Sequence, residues 1–220
     1  MSNYPVTNQI FYALIGLTLL VAAADWWVTI IGPAKAEFVL KPLTMLVLIA
    51  ATVALPDPSS NLARWAMVVA LAFSMLGDVF LLSENRFFLQ GLLAFFVAHL
   101  AYIYALAHLG ATLQLALVGL VLVLIANAIV GRRIIAGVRA KDSAMVVPVI
   151  AYLGVVSAMV VAAVATGNPW AIVGALLFFG SDAGIGWHRF VAPFKHRDAF
   201  VIITYHLGQI GLVLSLTIPF

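Results

Sequence analysis

Cysteine is absent from the 220-residue chain, which excludes disulfides, thiolate catalysis and cysteine-held metals and leaves the redox compartment unread. Charge is almost as scarce. Only 9% of residues are Asp, Glu, Lys or Arg, against 65% hydrophobic, and the mean hydropathy is +1.16. A soluble domain of this composition would expose far too much apolar surface to water. The opening MSNYPVTNQ lacks both the basic segment and the small-residue cleavage site of a secretory signal. The first apolar run is therefore expected to be retained as structure.

What remains is a series of runs long enough to cross a bilayer as helix, which takes about 20 apolar residues. Eight spans are expected, at about 9–31, 38–55, 63–82, 88–109, 111–131, 144–165, 169–190 and 199–218. Residues 1–220 then form one all-α, polytopic membrane domain. The formal charge of +3 would suit a nucleic-acid partner, but the basic residues fall in short connections, so topology explains them and no nucleic acid is expected.

Alternate connections are very unequal in charge. One side holds Lys35, Lys41, Arg86, Arg132, Arg133, Arg139, Lys141, Arg189, Lys195 and Arg197; the other holds only Arg64. Ten against one predicts that the first side is cytoplasmic, with both termini outside and the chain in the cell (inner) membrane. Trp65 and Trp170 then begin spans at the outer interface, and Trp26, Trp27 and Trp187 approach the inner one, as aromatic belts do.

Polar residues inside the spans are few and unevenly placed. At 1.5 Å of rise per residue, Asp78 lies roughly 7 Å, Asp25 roughly 10 Å and Asp182 roughly 12 Å from the cytoplasmic ends of their helices. Lys41, His99, Asn127, Tyr205, His206 and Gln209 occupy the same half or the middle. One cavity opening inward is expected. An intramembrane Asp costs roughly 2.5–3.5 kcal/mol on an insertion scale, so a pair of them points to a site or an ion path. Other roles compete for the rest. Lys41 can snorkel, Asn127 can join helices, Asp25 can pair with Lys41 or Lys35, and adjacent Tyr205 and His206 point in different directions. A shift of 104 residues lays Asp78 on Asp182 and spans one to four on five to eight, suggesting a parallel 4+4 repeat.

The stretches KPLTMLVL (41–48), LGDVFLL (76–82), FFLQGLLAFFVAHLAYIYAL (87–106), ALLFFGSDAGIG (175–186) and VIITYHLGQIGL (201–212) resemble the YhhN-like lysoplasmalogenases. The ordered combination of Gly-Asp, Gly-x(7)-His-x(2)-Tyr, Ser-Asp and Tyr-x(3)-Gln carries the likeness. It implies a multi-pass hydrolase that cleaves the vinyl ether bond of lysoplasmalogens, giving a fatty aldehyde and glycerophosphocholine or glycerophosphoethanolamine. Asp78 and Asp182 fall on the family's intramembrane acids. Lys41, His99, Tyr102, Tyr205 and Gln209 fall on its other recurring polar positions. The Gly-rich AGIG after Asp182 is a departure, and suggests a kink or unusually close packing there.

The chemistry suits those residues. A vinyl ether is cleaved by protonation of its β-carbon, capture of the oxocarbenium ion by water, and collapse of the hemiacetal. That calls for one carboxylic acid and one carboxylate, as in glycoside hydrolysis, and paired buried acids provide it. Asp78 and Asp182 are the expected catalytic pair, in an order the sequence leaves open. Lys41 is expected to meet the substrate phosphate, while Tyr102, Tyr205 and Gln209 orient the ether or glycerol oxygens and His99, Asp25 and Asn127 line the same cavity. The chemistry calls for no cofactor and no metal, though Asp78, Asp182 and His99 are the set able to gather an ion. The partners are lysophospholipid and bilayer lipid. The main rival is a proton- or ion-coupled transporter. An intramembrane aspartyl protease would need Gly-x-Gly-Asp, where this chain has Met75-Leu76-Gly77-Asp78.

Overall fold

The structure, a computed structural model, describes residues 4–218. It contains nine α-helices among those residues: α1 (Tyr4–Ile31), α2 (Ala34–Ala54), α3 (Asn61–Leu81), α4 (Glu84–Ala107), α5 (Leu113–Ala126), α6 (Arg132–Lys141), α7 (Val146–Ala165), α8 (Pro169–Phe190) and α9 (Arg197–Leu214). Because α5 continues into α6 through a π-helical stretch, Asn127–Gly131, they make eight segments long and apolar enough to cross a membrane. The chain is a multi-pass membrane protein.

Local sequence explains where the helices start and turn. Ser60 Oγ accepts from the Ala63 amide, and Asn168 Oδ1 accepts from the Trp170 and Ala171 amides, so each caps otherwise orphaned donors. Pro169 occupies the first turn of α8, where its missing N–H costs nothing. Gly110 (φ 97°) and Gly167 (φ 66°) supply the left-handed residues that the tight connections before α5 and α8 require.

Neighbouring helices pair along the chain: α1 with α2, α3 with α4, α5 with α7, α8 with α9. The α4 and α7 helices join the two ends of this series, and α9 is the most enclosed segment, packing on α1, α2, α3 and α8. The core around it includes Met45, Met67, Tyr102, Met159, Phe178 and Leu212, all fully buried. The α5 helix is the least enclosed and turns Leu117, Val121 and Leu124 outward. The expected repeat is not confirmed: among the described residues α1 packs on α9 without a comparable contact between α5 and α4.

Two expectations change. The fifth span does not end near 131. Arg132–Lys141 looked like a basic loop but forms an amphipathic helical extension. Ile134 and Val138 bury against Val149 and Phe190, while the Arg and Lys side chains face outward. Asn127 does not join the polar residues of the other helices. It opens the π turn, and its amide donates to the Val123 carbonyl (2.8 Å) and to Ser157 Oγ (2.9 Å) on α7, tying two helices together.

Helices α8 and α9 meet in an extended close contact along several glycines. A Cβ on Gly174 would lie 2.7 Å from the Leu212 nitrogen and 2.8 Å from the Gly208 carbonyl oxygen; one on Gly208 would lie 2.9 Å from the Phe178 nitrogen. Backbone meets backbone there, the approach that small residues permit in membranes. The α8 helix runs unbroken past Asp182, and the Gly184 position lies against the Phe200 ring at 3.0 Å. Close packing, not a kink, is what the glycines provide. Gly174→Leu is expected to force α8 and α9 apart and cost about 1–3 kcal/mol, the usual scale for overpacking. Thermal unfolding in detergent would show this as a lowered midpoint, and an unchanged midpoint would contradict the contact.

Candidate active site

Two of the interior carboxyl groups are each held by a tyrosine from another helix. Asp78 on α3 is buried, and its Oδ2 accepts from the Tyr205 hydroxyl of α9 at 2.6 Å. Asp182 on α8 accepts at Oδ2 from the Tyr152 hydroxyl of α7 at 2.9 Å. The two sides meet at Phe178, which packs against Tyr205 and against His99, the neighbour of Asp182. Helical spacing explains the approach, because Asp182 lies two turns along α8 from Gly174 and Tyr205 lies one turn before Gly208.

His99 of α4 completes the Asp182 side. Its Nδ1–H donates to the Phe95 carbonyl at 2.6 Å, and its Nε2 lies 3.6 Å from Asp182 Oδ2. Its ring has no exposure and packs edge-on against Phe178, with centroids 4.8 Å apart. Phe178 also meets Phe95, Tyr102 and Tyr205 edge-on, making a dry aromatic wall beside both acids. Below it, Tyr102 donates a short hydrogen bond to Gln209 Oε1, with Ser74 Oγ 3.5 Å from the same hydroxyl. Asp78, Asp182, His99, Tyr102, Tyr205 and Gln209 are thus brought together, from α3, α4, α8 and α9.

A second layer lies towards α1. Trp26 Nε1–H donates to His206 Nδ1 at 3.1 Å, so His206 is turned away from the acids, as neighbours on a helix should be. Asp25 is fully buried, and neither of its oxygens has a hydrogen-bond partner among the described residues. It forms no ion pair with Lys41 or Lys35. Lys41 pairs with Glu37 one turn earlier on α2, at 3.5 Å, while its charge still acts on both Asp25 and Asp78.

In place of one cavity, two pockets flank these residues, sharing Leu81 and Ile185 as a common wall. The first is a narrow apolar pocket of about 50 Å³ lined by Phe88, Leu92, Phe95, Val156 and Phe179, with Asp182 and Tyr152 as its polar members. The second, of about 530 Å³, lies at the end of the bundle carrying most of the basic residues and is lined by Glu37, Lys41, His188, Arg197 and Asp198. Asp78 lines neither and stands behind Tyr205. Sequence reasoning missed Tyr152 and Phe178. Both read as apolar filler in VVPVIAYLGVV and ALLFFG, and the one available signal was that Tyr152 is the sole hydroxylated ring in its span.

Comparison with known proteins finds a family and several relatives. The model of the YhhN family matches residues 36–216. Lysoplasmalogenase TMEM86B of Homo sapiens is 34% identical over 148 residues, 66% of this chain and 61% of the human protein. The mouse protein of the same name (Mus musculus) is 31% identical over 192 residues, 86% of this chain and 79% of its own. Lysoplasmalogenase TMEM86A of Bos taurus is 28% identical over 152 residues, covering 67% and 63%. The matched stretch therefore spans less than two thirds of the human and bovine relatives. No solved structure matches the chain. With the family model covering α2 to α9, and with them both acids and their tyrosine partners, this chain belongs to the YhhN family.

Proposed function

We propose that the protein hydrolyses the vinyl ether bond of lysoplasmalogens, releasing a fatty aldehyde and a glycerophospho-alcohol. The observation that carries this reading is the position of Asp182. Its carboxyl lies in the wall of a pocket otherwise made of aliphatic and aromatic side chains, and that pocket abuts a charged cavity. A lysolipid has this polarity, with an apolar chain, one reactive bond and a charged head. The alkenyl chain enters among Phe88, Leu92 and Phe179, while the phosphate meets Lys41 and Arg197. The names of the TMEM86 relatives support the same reaction.

The chemistry needs a proton donor to the β-carbon, an anion beside the resulting oxocarbenium ion, and a base for the attacking water. The two carboxyls can divide these tasks as the acid pairs of glycoside hydrolases do. Phe178 and its neighbours exclude bulk water from the acids, which strengthens every electrostatic interaction among them. The inner (cell) membrane, with the Lys41 end of the bundle facing the cytoplasm, is the location that the ten basic residues at that end support. A proton- or ion-coupled transporter also uses buried acids, but such proteins commonly break a helix at the site, and α3 and α8 run unbroken through theirs.

Purified protein incubated with lysoplasmalogen in D2O is expected to release fatty aldehyde carrying one deuterium on its α-carbon, read by mass spectrometry. No aldehyde, together with ion flux in proteoliposomes, would instead support the transporter. Asp78→Asn and Asp182→Asn are each expected to lower turnover by about 10²-fold or more, the range of general acid–base contributions. Substantial turnover by both variants would end the two-acid scheme. Lys41→Ala is expected to raise KM about tenfold, the loss of one charge-assisted contact of about 1.4 kcal/mol, with kcat little changed. A pure kcat defect would remove Lys41 from the phosphate site.

A further inference from the structure

The two carboxyls look equivalent in the sequence, but their hydrogen-bond surroundings differ. Each accepts from one tyrosine hydroxyl, and that contact favours neither protonation state over the other in the pair. The difference lies in what else each one faces. The Phe95 carbonyl oxygen can only accept, so the 2.6 Å bond to it requires a hydrogen on His99 Nδ1. In a neutral ring, the other nitrogen, Nε2, is then a bare acceptor; it is buried without a hydrogen-bond partner among the described residues and lies 3.6 Å from Asp182 Oδ2. Two acceptors facing each other in a dry interior repel, unless one of them carries a proton.

If the proton is on Asp182, a carboxylic acid faces an imidazole lone pair. If it is on Nε2, an imidazolium faces a carboxylate. Either arrangement holds one proton and no net charge. Tyr102, Tyr152 and Phe178 surround the ring and carry no charge that would compensate a different count. His206 provides an internal contrast. Its Nδ1 receives the Trp26 N–H, so its Nε2 must be the donor, and it offers a neighbouring acid no such lone pair.

Asp78 faces the opposite kind of group. Its companion is the Tyr205 hydroxyl at 2.6 Å, shorter than the 2.9 Å bond from Tyr152 to Asp182, and the Lys41 ammonium, itself paired with Glu37, is the cation whose charge acts on it. No ring nitrogen lone pair is directed at it among the described residues. A carboxylate is therefore accommodated at Asp78, and a proton at Asp182.

We propose that His99 and Asp182 together hold the proton that is delivered to substrate, while Asp78 begins the cycle as the carboxylate. This rests on the hydrolytic reading above. In the first step the Asp182 O–H bond breaks as the vinyl π pair takes the proton at the β-carbon, leaving an oxocarbenium ion beside the new carboxylate. Water then adds to the cationic carbon and gives a proton to the Tyr205 hydroxyl, which passes its own to Asp78. In the collapse, Asp182 removes the hemiacetal hydroxyl proton, the bond from carbon to glycerol oxygen breaks, and Asp78 returns its proton to the leaving oxygen by the same hydroxyl. One water is consumed and both acids recover their starting states. His99 acts through Asp182 and never touches the reacting carbons, so it is a positioning residue.

The test reads the proton directly, without substrate, from the infrared carbonyl stretch of an un-ionised carboxylic acid. Difference spectra between the parent and each variant cancel Asp25 and every other unchanged group. Asp182→Asn is expected to remove such a band, Asp78→Asn to leave it, and His99→Gln to shift its frequency. Loss of the band in Asp78→Asn with retention in Asp182→Asn would overturn the proposal, and so would a spectrum that His99→Gln leaves unmoved. In turnover, His99→Gln is expected to lower kcat by about 10²-fold with KM within about twofold. A matched rise in KM without a kcat defect would also overturn it. Should Asp182→Asn fail to fold, the Asp78→Asn and His99→Gln spectra still decide the matter. The expected spectra without any aldehyde release would sink the hydrolase reading and spare the proton's placement. Aldehyde release with the band on Asp78 would do the reverse.

Discussion

Keeping carboxyl groups in a dry helical bundle is the constraint on which the rest of the structure depends. The cost of an unpaired acid at that depth is a sizeable part of a folded protein's net stability. Each acid is therefore given a donor from a different helix, Tyr205 for Asp78 and Tyr152 for Asp182. Those bonds dictate which helices must neighbour which, and hence that α9 runs through the middle and α7 closes against α8. Asp25 is the exception, buried with two unsatisfied oxygens beside the charge of Lys41. It lies on α1 with Trp26, outside the stretch that the family model matches, so the α1 side of this second layer is built on sequence that the family pattern does not cover, while His206 and Lys41 lie within it.

The fold was legible for a simple reason. A bilayer imposes a length on apolar runs, and eight such runs stand clear of one another in this chain. The fifth was misjudged at its end because RRIIAGVRAK has the charge of a loop. Only the burial of Ile134 and Val138 against Val149 and Phe190 makes it helix, and that partner surface is remote in sequence. The Asn127 misplacement has the same origin. Depth along a straight helix puts it with the other polar groups, but the π turn it begins swings it towards Ser157.

At the site, the sequence revealed the groups that are costly in lipid and concealed the ones that are not. Asp78, Asp182 and His99 stand out in any apolar run. Tyr152 does not, because its ring is at home in hydrocarbon, although its hydroxyl is the hydrogen-bond donor to Asp182. Phe178 is invisible for the same reason, yet four rings are packed around it. The division into two cavities was equally hidden, since Leu81 and Ile185 become a shared wall only once α3 and α8 face each other.

Gly174, Gly208 and Gly211 put two main chains in direct touch, with no layer of side chains between them to slide or re-pack. Such a joint has a single register, so α8 and α9 behave as one stiff beam carrying Asp182 and Tyr205 at a fixed separation. The α3–α4 pair closes differently, with the glycine backbone at Gly77 and Gly91 set against the Phe95 ring and the Leu81 side chain.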